Sequence, residues 1–195
     1  MRRDLLTSVI AVVALTLLLG GAYPLLVTGA SQVAFHGKAG GSQVKVNGRL
    51  VGSRLLGQDF RREPRYFQER PSTATSYNAA GSAFTNLGPN SAKARDTFKA
   101  SLRAYLALEQ PFDRPLTARD VPVDAVTSSA SGVDPHISQA NARIQAHRVA
   151  AVRRLPLAAV DKLIEQHTDG RFLGLLGEAG VNVLELNLAL DRMAR

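Results

Sequence analysis

From Leu5 to Val27 the chain is apolar and carries no charged residue. As a helix those 23 residues extend about 35 Å, against a bilayer hydrocarbon core of about 30 Å. The pattern predicts a transmembrane helix over 5–27. Arg2 and Arg3 precede it, so the positive-inside rule keeps residues 1–4 in the cytoplasm and places everything after Thr28 outside. A cleaved signal peptide is the competing reading, with Gly20-Gly21-Ala22 as small residues at a cleavage point. The apolar run continues through Tyr23 to Val27, longer than a signal core of about 7–15 residues, which favours a retained anchor. Either way the remainder is exported. No ionisable group lies inside the span, and Gly20-Gly21 would allow another helix to approach closely.

Beyond the span the pattern becomes mixed. A linker over 28–42 carries Gly37, Gly40 and Gly41. Val44, Val46 and Leu50-Val51 flank Asn47-Gly48, a hairpin signal. Arg61 to Tyr77 reads as a loop folded onto the domain by Tyr66-Phe67, and Asn78 to Ser91 as turn-rich. Ser91 caps a predicted helix with Ala94, Phe98, Leu102, Tyr105 and Leu106 on one face, and Pro111 and Pro115 end that region. Val121, Val123 and Val126 predict a short strand. A second helix is expected from near Ser138 to Arg153, with Ala140, Ile144, Ala151 and Val152 as its apolar side. Pro156 suits the first turn of a third, with Val160, Leu163, Ile164 and His167 aligned, stopped by Asp169-Gly170. VNVLELNLAL alternates Leu184, Leu186, Leu188 and Leu190 with smaller or polar residues and predicts a strand with one buried face. The fold class expected is a small α+β (mixed α/β) extracytoplasmic domain, residues 43–195, behind a single N-terminal transmembrane helix.

Composition removes several chemistries. The chain has no cysteine, which excludes disulfides, thiolate zinc sites and a thiol nucleophile. Its net charge of +8 comes with arginines scattered through the sequence, for example Arg61, Arg95, Arg148 and Arg192. Without a basic block interleaved with aromatics, the reading is a basic surface and no nucleic acid.

The most polar window, VPVDAVTSSASGVDPHISQANA (Val121 to Ala142), holds Asp124, Ser128, Ser129, Ser131, Asp134, His136 and Ser138. A serine hydrolase needs its nucleophile on a strained turn with a base in reach, and no G-x-S-x-G is present. Asp134-x-His136 alone is a weak metal signal. The structural reading is that Asp134-Pro135 starts a turn, Gly132 permits an unusual backbone angle, and Ser138 caps the next helix. A membrane-anchored hydrolase or metal-binding protein using Asp124, Ser131, Asp134 and His136 is the alternative. Nucleotide motifs fail: there is no Gly-Lys-Ser/Thr turn, and the glycines of HTDGRFLGLLGEAG follow no strand in the required way.

Taken in order, YPLLVTG (Tyr23 to Gly29), GQDF (Gly57 to Phe60), RYFQERPS (Arg65 to Ser72), NLGPN (Asn86 to Asn90), the polar window itself, HRVAAVRRL, HTDGRFLGLLGE and VNVLELNLAL resemble the KdpC family, small subunits of the bacterial Kdp potassium-transporting ATPase. The chain departs from the family after Glu178, where Ala179-Gly180 stands in place of a proline and a basic residue. The resemblance implies a noncatalytic accessory subunit beside a channel-like potassium-binding subunit (KdpA), a P-type ATPase subunit (KdpB) and a very small helical subunit (KdpF), in the cell membrane. It implies no intrinsic cofactor; ATP would belong to the ATPase subunit, whose affinity for it the family is said to raise as a catalytic chaperone, and potassium is the transported ion. Candidate docking or scaffold residues are Tyr66, Phe67, Arg70, Pro71, Ser72, Asn86, Asp134, His136 and Arg171.

Overall fold

A computed structural model provides the fold and describes residues 1–61, 63–72, 76–78, 80–83, 85–113 and 115–193. Parts of the expected loops, at positions 62, 73–75, 79, 84 and 114, lie outside the described residues. The chain divides into two units, Met1–Val51 and Gly52–Arg195.

In the first unit the apolar run is helical, and the helix continues past Val27 to Ala34. It comprises α1 (Arg2–Leu15), a wider π-helical stretch (Thr16–Ala22) and α2 (Tyr23–Ala34) without a break. Pro24 accounts for the wide turn. It offers no N–H to the Gly20 carbonyl, and its ring would collide with that carbonyl in a regular α-helix. The backbone instead winds wider, and the Tyr23 amide bonds the Leu18 carbonyl five residues back. The helix thereby passes its proline rather than ending there. Among the described residues it is the one helix long and apolar enough to cross a membrane, and none of its most apolar window is buried. After it come a single turn, α3 (His36–Ala39), and the expected hairpin, β1 (Gln43–Val46) and β2 (Arg49–Ser53). Asn47 (φ 51°) and Gly48 (φ 78°) form its turn, both in the left-handed region that a two-residue hairpin demands.

The second unit is built from α4 (Ala92–Glu109), a 3₁₀ turn (Val123–Ala125), β3 (His136–Ile137), α5 (Gln139–Arg153), α6 (Leu157–Gln166), β4 (Thr168–Asp169), β5 (Gly180–Asn182) and α7 (Val183–Met193). The three short strands form one sheet in the order β3-β5-β4. Both pairings are antiparallel, with Ile137 and Thr168 opposite Val181. Ser91 caps α4 by accepting from the Ala94 amide, and Ser138 caps α5 by accepting from Asn141. α5 ends on Arg154 in the left-handed conformation, and the Leu155 amide returns to the Ala150 carbonyl. Pro156 then opens α6. The core gathers Phe67, Ile137, Ala142, Ala146, Val149, Val160, Ile164, Val181, Val183, Leu186 and Leu190.

Four expectations are corrected. VNVLELNLAL is a strand only as far as Asn182; Val183 onward is helix. Asn182 accepts from the Glu185 amide, a helix-starting bond, and Val183, Leu186, Asn187 and Leu190 follow the helical spacing of a buried stripe. The strand expected at Val121–Val126 is the 3₁₀ turn at Val123–Ala125, since Pro122 has no amide for a ladder. In α5, Ala140, Ala151 and Val152 are exposed; the buried face is Asn141, Ala142, Gln145, Ala146, Arg148, Val149 and Ala150. Arg148, read as part of a basic surface, is fully buried. The last two corrections have one cause, which lies in the long loop before α4.

Candidate functional site

The stretch 54–90 contains no strand or helix among its described residues, yet Phe67 in its middle is completely buried. Its backbone needs partners there, and side-chain amides supply them. Asn187 on α7 accepts from the Phe67 amide (2.8 Å) and donates to the Phe67 carbonyl (3.0 Å). Gln145 on α5 does the same for Gln68, at 2.7 and 3.0 Å. Each carboxamide thus pairs both backbone groups of one loop residue, as a neighbouring strand would.

Arg148 completes the clamp. Its Nη1 donates to the carbonyls of Pro64 and Tyr66, its Nη2 to Gln145 Oε1 (3.0 Å), and its Nε to both Glu109 oxygens at 3.0 and 3.1 Å. Burial pushes the Glu109 carboxyl upward while Arg148 pulls it back. One cation therefore ties the C-terminal end of α4, the middle of α5 and the loop together.

A second polar string runs along β3 and β4. Arg70 donates to the carbonyls of Thr127 (3.4 Å) and Ser128 (3.1 Å) and pairs with Asp134 Oδ2 (3.3 Å). The His136 amide donates to Asp134 Oδ1 at 3.0 Å, with the ring Nδ1 3.6 Å from the same oxygen. His136 Nε2 lies 3.2 Å from Asp169 Oδ2, Asp169 reaches Arg54 (3.4 Å), and Arg54 pairs with Glu185 (2.9 Å). The Asp134 bond, against some burial, raises the His136 pKa, with Asp169 adding to it. Burial opposes ionisation of Asp134, but His136 and Arg70 together hold its carboxyl below the ordinary value. Both ring nitrogens of His136 face carboxylates, which stabilises an imidazolium and leaves neither nitrogen to serve a hydroxyl as base.

The other predicted residues divide by exposure. Tyr66 donates to Asp191 Oδ2 (2.8 Å), beneath the Arg153 guanidinium at 4.8 Å from its ring centre. Ser72 is buried, donating to the Gly132 carbonyl (2.6 Å) and accepting from the Tyr77 amide (2.9 Å). Pro71 lines a cavity of about 370 Å³ with Glu69, Tyr105 and Asn141. Asn86 is exposed. Arg171 is exposed too, paired with Glu178 at 3.0 Å. Asp124 accepts from the Ser138 amide and hydroxyl and from Asn141, so it holds the start of α5. Ser131 bonds Ser129 and the Val133 amide. Among the described residues no three His, Asp or Glu side chains are grouped to hold a metal.

Sequence reasoning passed over Glu69, Glu109, Gln145 and Asn187. Glu69 is buried, with both carboxyl oxygens lacking a well-formed hydrogen bond. Burial pushes its pKa up to about 8 against the pull of the Gln58 amide, with the negative charges of Asp134 and Asp59 adding smaller upward pushes. Its carboxyl occupies the space beside Gly57, where a Cβ would stand 2.1 Å from Oε2.

The described residues thus form one apolar helix of membrane-crossing length and a domain whose polar side chains largely bond its own backbone and one another. Comparison with known proteins gives the class, a subunit of a larger complex rather than an enzyme by itself. The profile of the family described as "KdpC: K+-transporting ATPase, c chain" matches residues 5–192. The chain is similar to proteins named potassium-transporting ATPase KdpC subunit from several bacteria. It is 46% identical to that of Koribacter versatilis over 192 residues (98% of this chain, 95% of the relative). It is 48% identical to that of Nitratidesulfovibrio vulgaris over 189 residues (96% and 93%), and 50% identical to that of Sorangium cellulosum over 186 residues (94% and 95%). The chain belongs to the KdpC family.

Proposed function

We propose that this chain is the noncatalytic accessory subunit of a high-affinity, ATP-driven potassium uptake complex, held in the cell membrane by a span within residues 5–27. Residues 1–4 lie in the cytoplasm, 28–42 connect, and the domain from 43 onward lies outside. Its partners are the channel-like KdpA, the P-type ATPase KdpB and the small helical KdpF. The observation that carries this reading is the family match along nearly the whole chain, and the apolar run that follows Arg2-Arg3 within the helix Arg2–Ala34 supports the orientation. Phe67, Arg70, Ser72, Asp134 and His136 serve as scaffold, with Tyr66 and Pro71 beside them, while Asn86 and Arg171 face outward for docking.

A domain outside the cell does not touch cytoplasmic ATP. It acts as a chaperone for nucleotide binding by binding more tightly to the conformation of the complex that holds ATP. Linkage makes this reciprocal: the factor by which the chain tightens ATP binding equals the factor by which ATP tightens binding of the chain. Titrating chain-free complex with the purified chain, with and without a non-hydrolysable ATP analogue, tests it. Tighter binding of the chain in the presence of the analogue is expected, and an affinity for the chain that is the same with and without nucleotide refutes the chaperone role. Orientation is tested apart. The protein lacks cysteine, so Glu165→Cys gives a single thiol on an exposed helix position. An impermeant maleimide should label it in spheroplasts, and labelling only in inverted vesicles overturns the topology.

A further inference from the structure

Between β4 and β5 the chain makes a small hairpin that the accessory-subunit reading does not use. Phe172 and Leu176 pair across it in antiparallel fashion, with the Phe172 amide donating to the Leu176 carbonyl (2.8 Å) and the Leu175 amide to the Phe172 carbonyl (3.2 Å). Four of its five residues are large and apolar, and they point outward: Phe172 is 68% exposed, Leu173 80%, Leu175 82% and Leu176 63%.

The backbone makes this more than scattered surface hydrophobicity. Leu173 has φ 52° and Gly174 φ 74°, nearly the angles of Asn47 (51°) and Gly48 (78°) in the β1–β2 turn. At Asn47 the chain uses a residue that tolerates this region. At Leu173 it uses one that resists it, and the side chain gains nothing from burial in the fold. A leucine held at positive φ and left in water is retained for something outside the unit.

Charge and size indicate what that is. The tip from Phe172 to Gly177 carries no charge, and Arg171 and Glu178 at its neck neutralise each other at 3.0 Å. An uncharged tip with a neutral polar collar matches an apolar socket with a polar rim on a protein and lacks the cationic flank that anionic lipid attracts. Four side chains cover much less than the roughly 800 Å² per partner of a self-sufficient interface. They suffice when chain and partner are already confined in one membrane, because the contact then forms at high effective concentration. A second copy meeting tip to tip has only that small area.

We propose that the Phe172–Leu176 hairpin is a docking plug, seated in an apolar socket on the outer face of a membrane-embedded subunit of the potassium-transporting complex. This rests on the accessory-subunit reading above. The test uses the full chain in detergent and complex purified from cells lacking it. Leu173→Asn relieves the backbone, so the free chain should melt no lower than wild type; Leu175→Ser alters only an exposed side chain. Each should weaken capture of the complex about tenfold, the loss from withholding one leucine from a buried socket, with the melting temperature of the free chain kept. Undiminished capture by the double variant overturns the proposal. So does a Leu175→Trp emission that shifts to the blue on phosphatidylcholine–phosphatidylglycerol vesicles and not on the complex, or a variant that converts dimers of the free chain to monomers without changing capture. If the wild-type chain itself is not captured, the accessory-subunit reading fails, and the plug with it.

Discussion

Replacing Arg148 with methionine tests the clamp. The substitution keeps most of the side chain's length and removes the charge, leaving three groups without their Arg148 donor, the Glu109 carboxylate and the carbonyls of Pro64 and Tyr66, while Gln145 Oε1 keeps the Gln68 amide. Breaking a buried pair on one side costs about 3–5 kcal/mol, mostly from the charge left behind. Each orphaned buried acceptor adds about 1–3 kcal/mol where no water replaces the donor. Glu109 limits the first cost by taking up a proton, since burial already pushes its pKa upward. The expected loss is therefore about 4 kcal/mol or somewhat more, a large part of a typical 5–15 kcal/mol. Urea denaturation gives the stability, and hydrogen exchange at the Phe67 and Gln68 amides gives the local effect, which should exceed that at α6. Adding Glu109→Leu removes the stranded carboxylate but not the stranded carbonyls, so the double variant should recover only about half. A single-variant loss below about 1 kcal/mol, the size of an ordinary exposed pair, refutes the clamp. Complete recovery in the double variant would show that the loop carbonyls were never held by Arg148.

The remaining predictions concern protons and glycine. Glu69 has its folded pKa raised to about 8 from 4.5, so its stabilising contribution is complete below the unfolded value and is lost as pH rises through about 8. Wild-type stability should fall across that interval by up to about 1.4 kcal/mol per pH unit, and Glu69→Gln should flatten the profile; parallel profiles contradict the assignment. The His136 pKa is also raised, so its contribution is present below about 6.5 and lost as pH rises through the folded value. Asp134→Asn should lower the imidazole midpoint in an NMR titration, and an unmoved midpoint means that Asp134 does not hold the ring. Gly57→Ala puts a Cβ 2.1 Å from Glu69 Oε2 and 2.9 Å from the Asp134 carbonyl, an overpacking cost of about 1–3 kcal/mol. Glu69→Ala beneath it should recover part of that in a thermal melt, and strictly additive losses would dismiss the contact.

What could be read in the sequence was whatever local chemistry decides. Asn47-Gly48, Ser91, Ser138 and Pro156 each act within one turn, and each stands where its neighbours indicate. α5 and α7 depend on something distant. Gln145 and Arg148 look like a solvent face in any window centred on α5, because their burial is licensed by backbone groups at 64–68, more than seventy residues earlier, and Asn141 beside them is held by Tyr105, Asp124 and Gln145. The alternation in VNVLELNLAL fits a strand and the broad buried stripe of a helix equally well. Asn187, which looks like a polar outward position in the strand reading, is the residue that pairs with Phe67 and needs the helix to reach it. The same dependence explains why the candidate site was half visible. Arg70, Ser72, Asp134 and His136 lie in polar windows that draw attention, whereas Glu109 and Glu69 sit among ordinary helix and loop residues and become distinctive only when the fold removes water from them. In this chain the loop is shaped by buried polar side chains more than by apolar ones. Sequence reasoning that ranks residues by hydrophobicity will therefore find the α6 core, and miss the groups that hold the loop against it.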